Sequence, residues 1–108
     1  MSEATLSTHI LDLETGQPAG GLGVALLDDA GDEIHTANTD EDGRIGSFPA
    51  IGPGTYALRF DVHPWFTAQA RDCFYPSVTV AFLVEGERPH YHVPLLLNRY
   101  GYSTYRGS

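Results

Sequence analysis

Four residues at the end of the sequence, Tyr105-Arg106-Gly107-Ser108, combine a phenol, a guanidinium, a glycine that lets backbone approach closely, and a small hydroxyl. If Ser108 is the natural terminus, its α-carboxylate joins its hydroxyl beside that guanidinium. This is a compact set of donors and acceptors for a small polar ligand. His9 and His92 add two imidazoles, whose ordinary pKa near ~6.5 suits proton transfer at neutral pH. Arg44, directly after Asp42-Gly43, adds a second forked donor. No Gly-x-Ser-x-Gly elbow, phosphate loop or dinucleotide fingerprint is present. Nor does any serine or cysteine look like an activated nucleophile. If these residues form an active site, water is the nucleophile and histidine the base.

Each of these residues has a plainer reading. A histidine on the outer face of a strand is usually a solvated one, and His92 does chemistry only if something covers that face. His90 lies two residues away on the same side, and an H-x-H pair can ligate metal. A metal site needs a third protein ligand, however, and the single cysteine, Cys73, offers little help, so no metal is expected. Asp40, Glu41 and Asp42 suggest paired catalytic acids but read better as solvated turn residues. Cys73 follows Asp72, which disfavours its thiolate, and is read as structural. His35 and His63 have no obvious partner, and Asp61 and Tyr75 could support a site without the sequence showing it.

Strands must position these groups. Gly54 to Val62 alternates with Tyr56, Leu58, Phe60 and Val62 on one face. Ser77 to Val84 repeats the pattern. Tyr91 to Leu97 places Tyr91, Val93, Leu95 and Leu97 inward, with His90, His92 and Pro94 opposite. Leu6–Leu13, Gly23–Asp28, Glu33–Asn38, a stub near Ile45–Phe48, and Tyr102–Arg106 are shorter candidates. Turn residues separate them, including Thr15-Gly16-Gln17-Pro18, Asp40-Glu41-Asp42-Gly43 and Gly52-Pro53-Gly54. The one helical stretch is about Pro64–Ala70. Pro94 cannot donate to a ladder, so it predicts an edge, a bulge or a local break. Eight or so short strands with regular turns predict an all-β sandwich or barrel.

At 108 residues the chain is expected to form one domain spanning 1–108. The net charge is −8, and all six basic residues are arginine. That excludes the basic stripe nucleic acid requires, attraction to anionic membranes, and lysine Schiff-base chemistry. A lone cysteine permits no internal disulfide, and no segment reads as a signal peptide or a membrane span. A soluble cytoplasmic protein is expected.

Read together, the motifs resemble the 5-hydroxyisourate hydrolases, or transthyretin-like proteins. The resemblance rests on Leu6-Ser7-Thr8-His9-Ile10-Leu11-Asp12 with Gly16-x-Pro18-Ala19, on Asp42-Gly43-Arg44, and on Pro53-Gly54-Thr55-Tyr56-x-Leu58-Arg59-Phe60-Asp61. It continues through Phe74-Tyr75-Pro76-x-Val78, Tyr91-His92-Val93-Pro94-Leu95-Leu96-Leu97, and Gly101-Tyr102-Ser103-Thr104-Tyr105-Arg106-Gly107-Ser108. These run in order over nearly the whole chain, and the terminal tetrapeptide is the most specific. The resemblance implies a transthyretin-like (prealbumin-like) β-sandwich of two four-stranded sheets with one short helix. It also implies a homotetramer, a dimer of dimers, with active sites between dimers.

The implied reaction is the metal-free and cofactor-free ring opening of 5-hydroxyisourate to 2-oxo-4-hydroxy-4-carboxy-5-ureidoimidazoline in urate degradation. The catalytic residues it implies are His9, Arg44, His92 and Ser108. Substrate contacts would come from His9, Arg44, Tyr105, Arg106, Gly107 and Ser108. A non-catalytic small-molecule carrier on the same fold is the alternative. Carriers of the transthyretin kind lack both the terminal motif and the histidine set.

Overall fold

The computed structural model describes residues 3–108. Alternating apolar residues fold as β1 (Thr5–Asp12), β2 (Gln17–Pro18), β3 (Gly23–Leu27), β4 (Glu33–Asn38), β5 (Arg44–Ile45) and β6 (Gly54–Phe60). Helix α1 (Val62–Thr67) follows, then β7 (Val78–Val84), β8 (His90–Asn98) and β9 (Gly101–Thr104). One sheet has the order β4-β3-β6-β7 and the other β2-β1-β8-β9, with β5 also paired to β1. The second sheet therefore contains five strands rather than the expected four. Its width is nevertheless four, because β8 runs parallel along the whole of β1 and leaves β2 and β5 to share the other edge.

The inner faces meet in one core. Phe60, Phe66, Leu26, Leu58, Leu95 and Leu97 are all fully buried, and each such side chain contributes roughly 1.5–3 kcal/mol. Leu6, Ile10, Tyr91, Val93, Leu95 and Leu97 are the inward residues of β1 and β8, as alternation predicts. Thr8 is also inward, and its hydroxyl donates to the Val93 carbonyl at 2.6 Å. That bond ties the two parallel strands together beneath the site.

Helix α1 begins two residues before the expected position. Pro64 is its third residue, still within the first turn, where a missing N–H costs no helical bond. The helix ends at Thr67, short of the expected Ala70, which lies in the left-handed region at φ +55°. The Trp65 indole donates to the Gly20 carbonyl at 2.8 Å and Phe66 fills the core, so packing holds this short helix in place. Gln17-Pro18, read as turn from sequence, is instead the two-residue β2.

Pro94 produces a break, not an edge. Strand β8 is central, flanked by β1 and β9. The ladder to β9 runs from Asn98↔Gly101 to Leu95↔Thr104. It lapses opposite Pro94, then resumes in the same register as a bridge between His92 and Gly107. Thr104 satisfies the Pro94 carbonyl with its hydroxyl at 2.6 Å. The proline thus releases Tyr105 and Arg106 from the ladder, and Gly107 closes back onto His92, its N–H donating to the His92 carbonyl at 2.8 Å.

Candidate active site

The outer face of the β1–β8 pair is polar with period two on both strands. Thr5, Ser7 and His9 alternate with the buried Leu6, Thr8 and Ile10, while His90 and His92 alternate with Tyr91 and Val93. Parallel register sets Thr5 beside His90, Ser7 beside His92 and His9 beside Pro94. On the other edge of β1, His9 pairs with Arg44 of β5. His9, Arg44 and His92, far apart in sequence, are therefore neighbours on one sheet face.

The acidic turn is what delivers Arg44. Asp40 accepts from the backbone N–H of Asp42 at 2.9 Å and of Arg44 at 3.0 Å through one carboxylate oxygen. Gly43 has φ +73°, and a Cβ there would meet the Ile10 carbonyl oxygen at 2.5 Å. Glycine is required at that point for both conformation and space. Asp40 and Asp42 are turn residues, as their plain reading held.

Three of the arginines, Arg59, Arg71 and Arg99, are held in ion pairs with Glu33, Asp61, Asp12 and Glu14. Among the described residues, Arg44, Arg88 and Arg106 form none. Two of those three belong to the motifs singled out from sequence. An uncompensated guanidinium in a chain of net charge −8 is available to an external acceptor.

His92 is half-buried, and its pKa is pushed below the ordinary imidazole value. Burial is the largest cause, followed by repulsion between a charged His92 and Arg44, with smaller contributions from the neighbouring His9 and His90. The shift favours the neutral imidazole, the form able to accept a proton. Its Nδ1 lies 2.8 Å from the Ser7 hydroxyl, which is also 2.9 Å from His90 Nε2. Gly107 packs directly on the imidazole, where a Cβ would stand 3.0 Å from the ring's Cγ and closer still to its Cδ2. Gly107 thus fixes where the His92 ring lies.

Tyr105 and Arg106 are exposed and, with Thr104 and His92, line an open cleft of about 230 Å³ against Phe82 and Leu83 of β7. Ser108 follows Gly107 and is exposed. Sequence reasoning missed Thr5 and Ser7. Their signal was available in the matching polar alternation of Thr5-x-Ser7-x-His9 and His90-x-His92. Asp61 and Tyr75 lie elsewhere: Asp61 joins Arg59 ahead of α1, and the Tyr75 hydroxyl donates to the Tyr100 carbonyl. Cys73 is half-buried and its thiol donates to the Tyr75 carbonyl. Among the described residues, no three His, Cys, Asp or Glu side chains converge as a metal site.

Residues 6–107 match the model of the HIUase/Transthyretin family. The chain belongs to that family. It is 45% identical to a 5-hydroxyisourate hydrolase of Salmonella dublin over 95% of this chain and 80% of that one. The solved 5-hydroxyisourate hydrolase of Klebsiella pneumoniae superposes with a TM-score of 0.87 at 36% identity, covering 97% and 94% of the two chains. Sea bream transthyretin, solved in complex with thyroxine, superposes with a TM-score of 0.89 at 28% identity, covering 96% and 95%. The family fold therefore accommodates both an enzyme and a thyroxine-binding protein with near-equal backbone agreement. Fold alone does not separate them, so the side chains on the outer sheet face must.

Proposed function

We propose that this chain hydrolyses 5-hydroxyisourate, and that it does so on the His9–Arg44–His92 face. The observation that carries this reading is the arrangement of that face: a neutral, oriented imidazole beside an unpaired guanidinium and a second imidazole. A carrier would have no need of it. The identity to curated 5-hydroxyisourate hydrolases supports the same reaction.

The product carries a new carboxylate and a ureido group, so the bond cleaved joins a ring carbonyl to a ring nitrogen. His92 Nε2 takes a proton from water as the water oxygen bonds to that carbonyl carbon. Arg44, with its fork of N–H donors, stabilises the oxyanion that develops and holds the planar ring in register. Collapse of the tetrahedral species breaks the carbon–nitrogen bond. His9, the β1 residue paired with Arg44, supplies the proton to the departing nitrogen. The Ser108 hydroxyl, brought round by Gly107, orients the attacking water. Tyr105 and Arg106 close over the substrate's polar edge.

We further propose a homotetramer, built as a dimer of dimers. In a single chain this face is open: Arg44 is exposed and both histidines are only half-buried. A hydrolytic site gains electrostatic strength when bulk water is excluded, and a second dimer laid over the face would do this. Strand β7 is a sheet edge with Leu83 61% exposed, which suits edge-to-edge pairing within each dimer. No helix among the described residues is long and apolar enough to cross a membrane.

The test is to generate 5-hydroxyisourate in place from urate and urate oxidase and to follow its ultraviolet absorbance. We expect decay far faster than the spontaneous rate. Decay at the spontaneous rate, with a carrier-like stoichiometric complex instead, would replace hydrolysis with binding.

A further inference from the structure

Behind His92 a line of hydrogen-bonding groups runs along the outer face, away from Arg44. His92 Nδ1 meets the Ser7 hydroxyl at 2.8 Å, that hydroxyl meets His90 Nε2 at 2.9 Å, and His90 Nδ1 meets the Thr5 hydroxyl at short range. The Thr5 hydroxyl in turn donates to the Pro89 carbonyl at 3.3 Å. Parallel register makes the line possible, because it sets Thr5 and Ser7 directly beside His90 and His92.

The proton directions follow from counting donors. A carbonyl only accepts, so Thr5 gives its single hydroxyl proton to Pro89. Thr5 Oγ1 must then accept from His90 Nδ1–H. Neutral His90 therefore offers a bare Nε2, and the Ser7 hydroxyl donates to it. Ser7 Oγ must then accept from His92 Nδ1–H. His92 is left with a bare Nε2, the lone pair a general base uses.

We propose that Ser7 and His90 form a proton relay that both sets the His92 tautomer and stores the proton His92 removes from water. The proposal rests on the reading of His92 as the base. As the water oxygen bonds to the carbonyl carbon, the water O–H bond breaks and a bond from that proton to His92 Nε2 forms. The His92 Nδ1–H proton passes to Ser7 Oγ, and the proton Ser7 held passes to His90 Nε2. One proton enters at His92 and one is held at His90. The positive charge that balances the substrate oxyanion ends on His90, and no electrons are transferred.

Electrostatics favours the transfer. His92 faces Arg44 on β5, His9 on β1 and His90 on its own strand, and it is half-buried. A cation there is costly for each of those reasons. His90 is exposed to solvent and lies one more residue pair from Arg44. Ser7 and His90 are positioning residues here, since neither is required to touch substrate.

The test combines histidine nitrogen NMR of the full chain with turnover of three variants. In the unmodified protein the long-range nitrogen–proton pattern should show His92 as the Nδ1–H tautomer. An Nε2–H tautomer would mean the line runs the other way and would overturn the proposal. Ser7→Ala should lose this preference and lower kcat by about tenfold to a hundredfold, the range seen when groups orienting a functional imidazole are removed. Ser7→Thr, which keeps the hydroxyl, should recover most of that loss. His90→Gln can still accept from Ser7 but cannot store a proton, so it should keep the tautomer and lower kcat. Normal kcat with an unchanged pH profile in either Ser7→Ala or His90→Gln would overturn the relay. Such a result would leave the role of His92 standing, because that role is judged separately by His92→Ala. Far-UV circular dichroism confirms folding. If Ser7→Ala does not fold, the tautomer of the unmodified protein and His90→Gln decide the matter.

Discussion

The two faces of β1 carry opposite electrostatic arrangements. At its C-terminal end, Asp12 points inward and is only 2% exposed. Its carboxylate accepts from Arg71 at 2.8 Å and from the Glu14 N–H at 3.0 Å. Arg71 and Arg99 both also bind Glu14, at 2.7 and 3.0 Å. Every charge there has a partner. Three residues earlier His9 points outward, toward Arg44 and His92, and among the described residues no Asp or Glu side chain forms an ion pair with any of these three. One strand therefore supports a closed network of matched charges and an open one whose arginine has no ion-pair partner among the described residues. The lesson is that charge alone does not mark a site; a charge left unmatched beside groups of matched charges does.

Breaking the open network should remove activity and spare stability. His92→Ala is expected to lower turnover by ~10²–10⁴-fold, the usual loss with a general base, and to leave the melting temperature nearly unchanged. The 5-hydroxyisourate decay assay and a thermal melt, run on one preparation, check both halves. Breaking the closed network should do the reverse. Arg71→Ala leaves the Asp12 carboxylate buried without its counter-charge, at a cost of about 3 kcal/mol in stability. Chemical denaturation measures this, and kcat of the fraction that remains folded should be unchanged.

A smaller effect is expected where backbone meets site. Gly107→Ala forces a Cβ into the His92 ring. Displacing that imidazole by ångströms should lower kcat by up to about 10²-fold, with little change in denaturation midpoint. An unchanged kcat would show that the terminal segment does not hold His92.

The pH dependences sharpen the contrast with the smallest effect. Burial alone would raise the Asp12 carboxyl pKa. Arg71's hydrogen bond, the Glu14 N–H and Arg71's charge outweigh it and hold the group below its ordinary 3.8. A carboxylate with a depressed folded pKa stabilises above the unfolded value, and that contribution is lost as pH falls through the folded one. Acid unfolding through this network should therefore begin below about pH 4. His92 is depressed relative to 6.5, so the acid limb of kcat/KM should fall below that value. Parallel rate and circular-dichroism titrations check both: an acid limb of activity below 6.5 and a loss of stability beginning below about pH 4.

Much of this contrast was legible in the residues themselves. Alternation over Tyr91–Leu97 placed His92 outward, and Asp42-Gly43 marked the turn ahead of Arg44. Period two reports a face, however, and not a neighbour. The pairing of His9 with Arg44 depends on the two-residue β5, which is too short to leave a periodic signal. Ser7 reads as an ordinary strand serine until parallel register sets it beside His92. Pro94 announced a disruption, but only the ladder on both sides of it shows that the break carries Gly107 onto the imidazole. The acid-base network around Asp12 was also invisible, because Arg71 is 59 residues away.

The most direct test of the central claim is the decay rate of 5-hydroxyisourate with the double variant His9→Gln/His92→Gln, which keeps side-chain volume and polarity on the face while removing both titrating groups. We expect a rate indistinguishable from the spontaneous one, in a protein whose melting temperature and sedimentation match those of the parent. Substantial catalysis by that folded, assembled variant would contradict the assignment and place the chemistry elsewhere on the molecule.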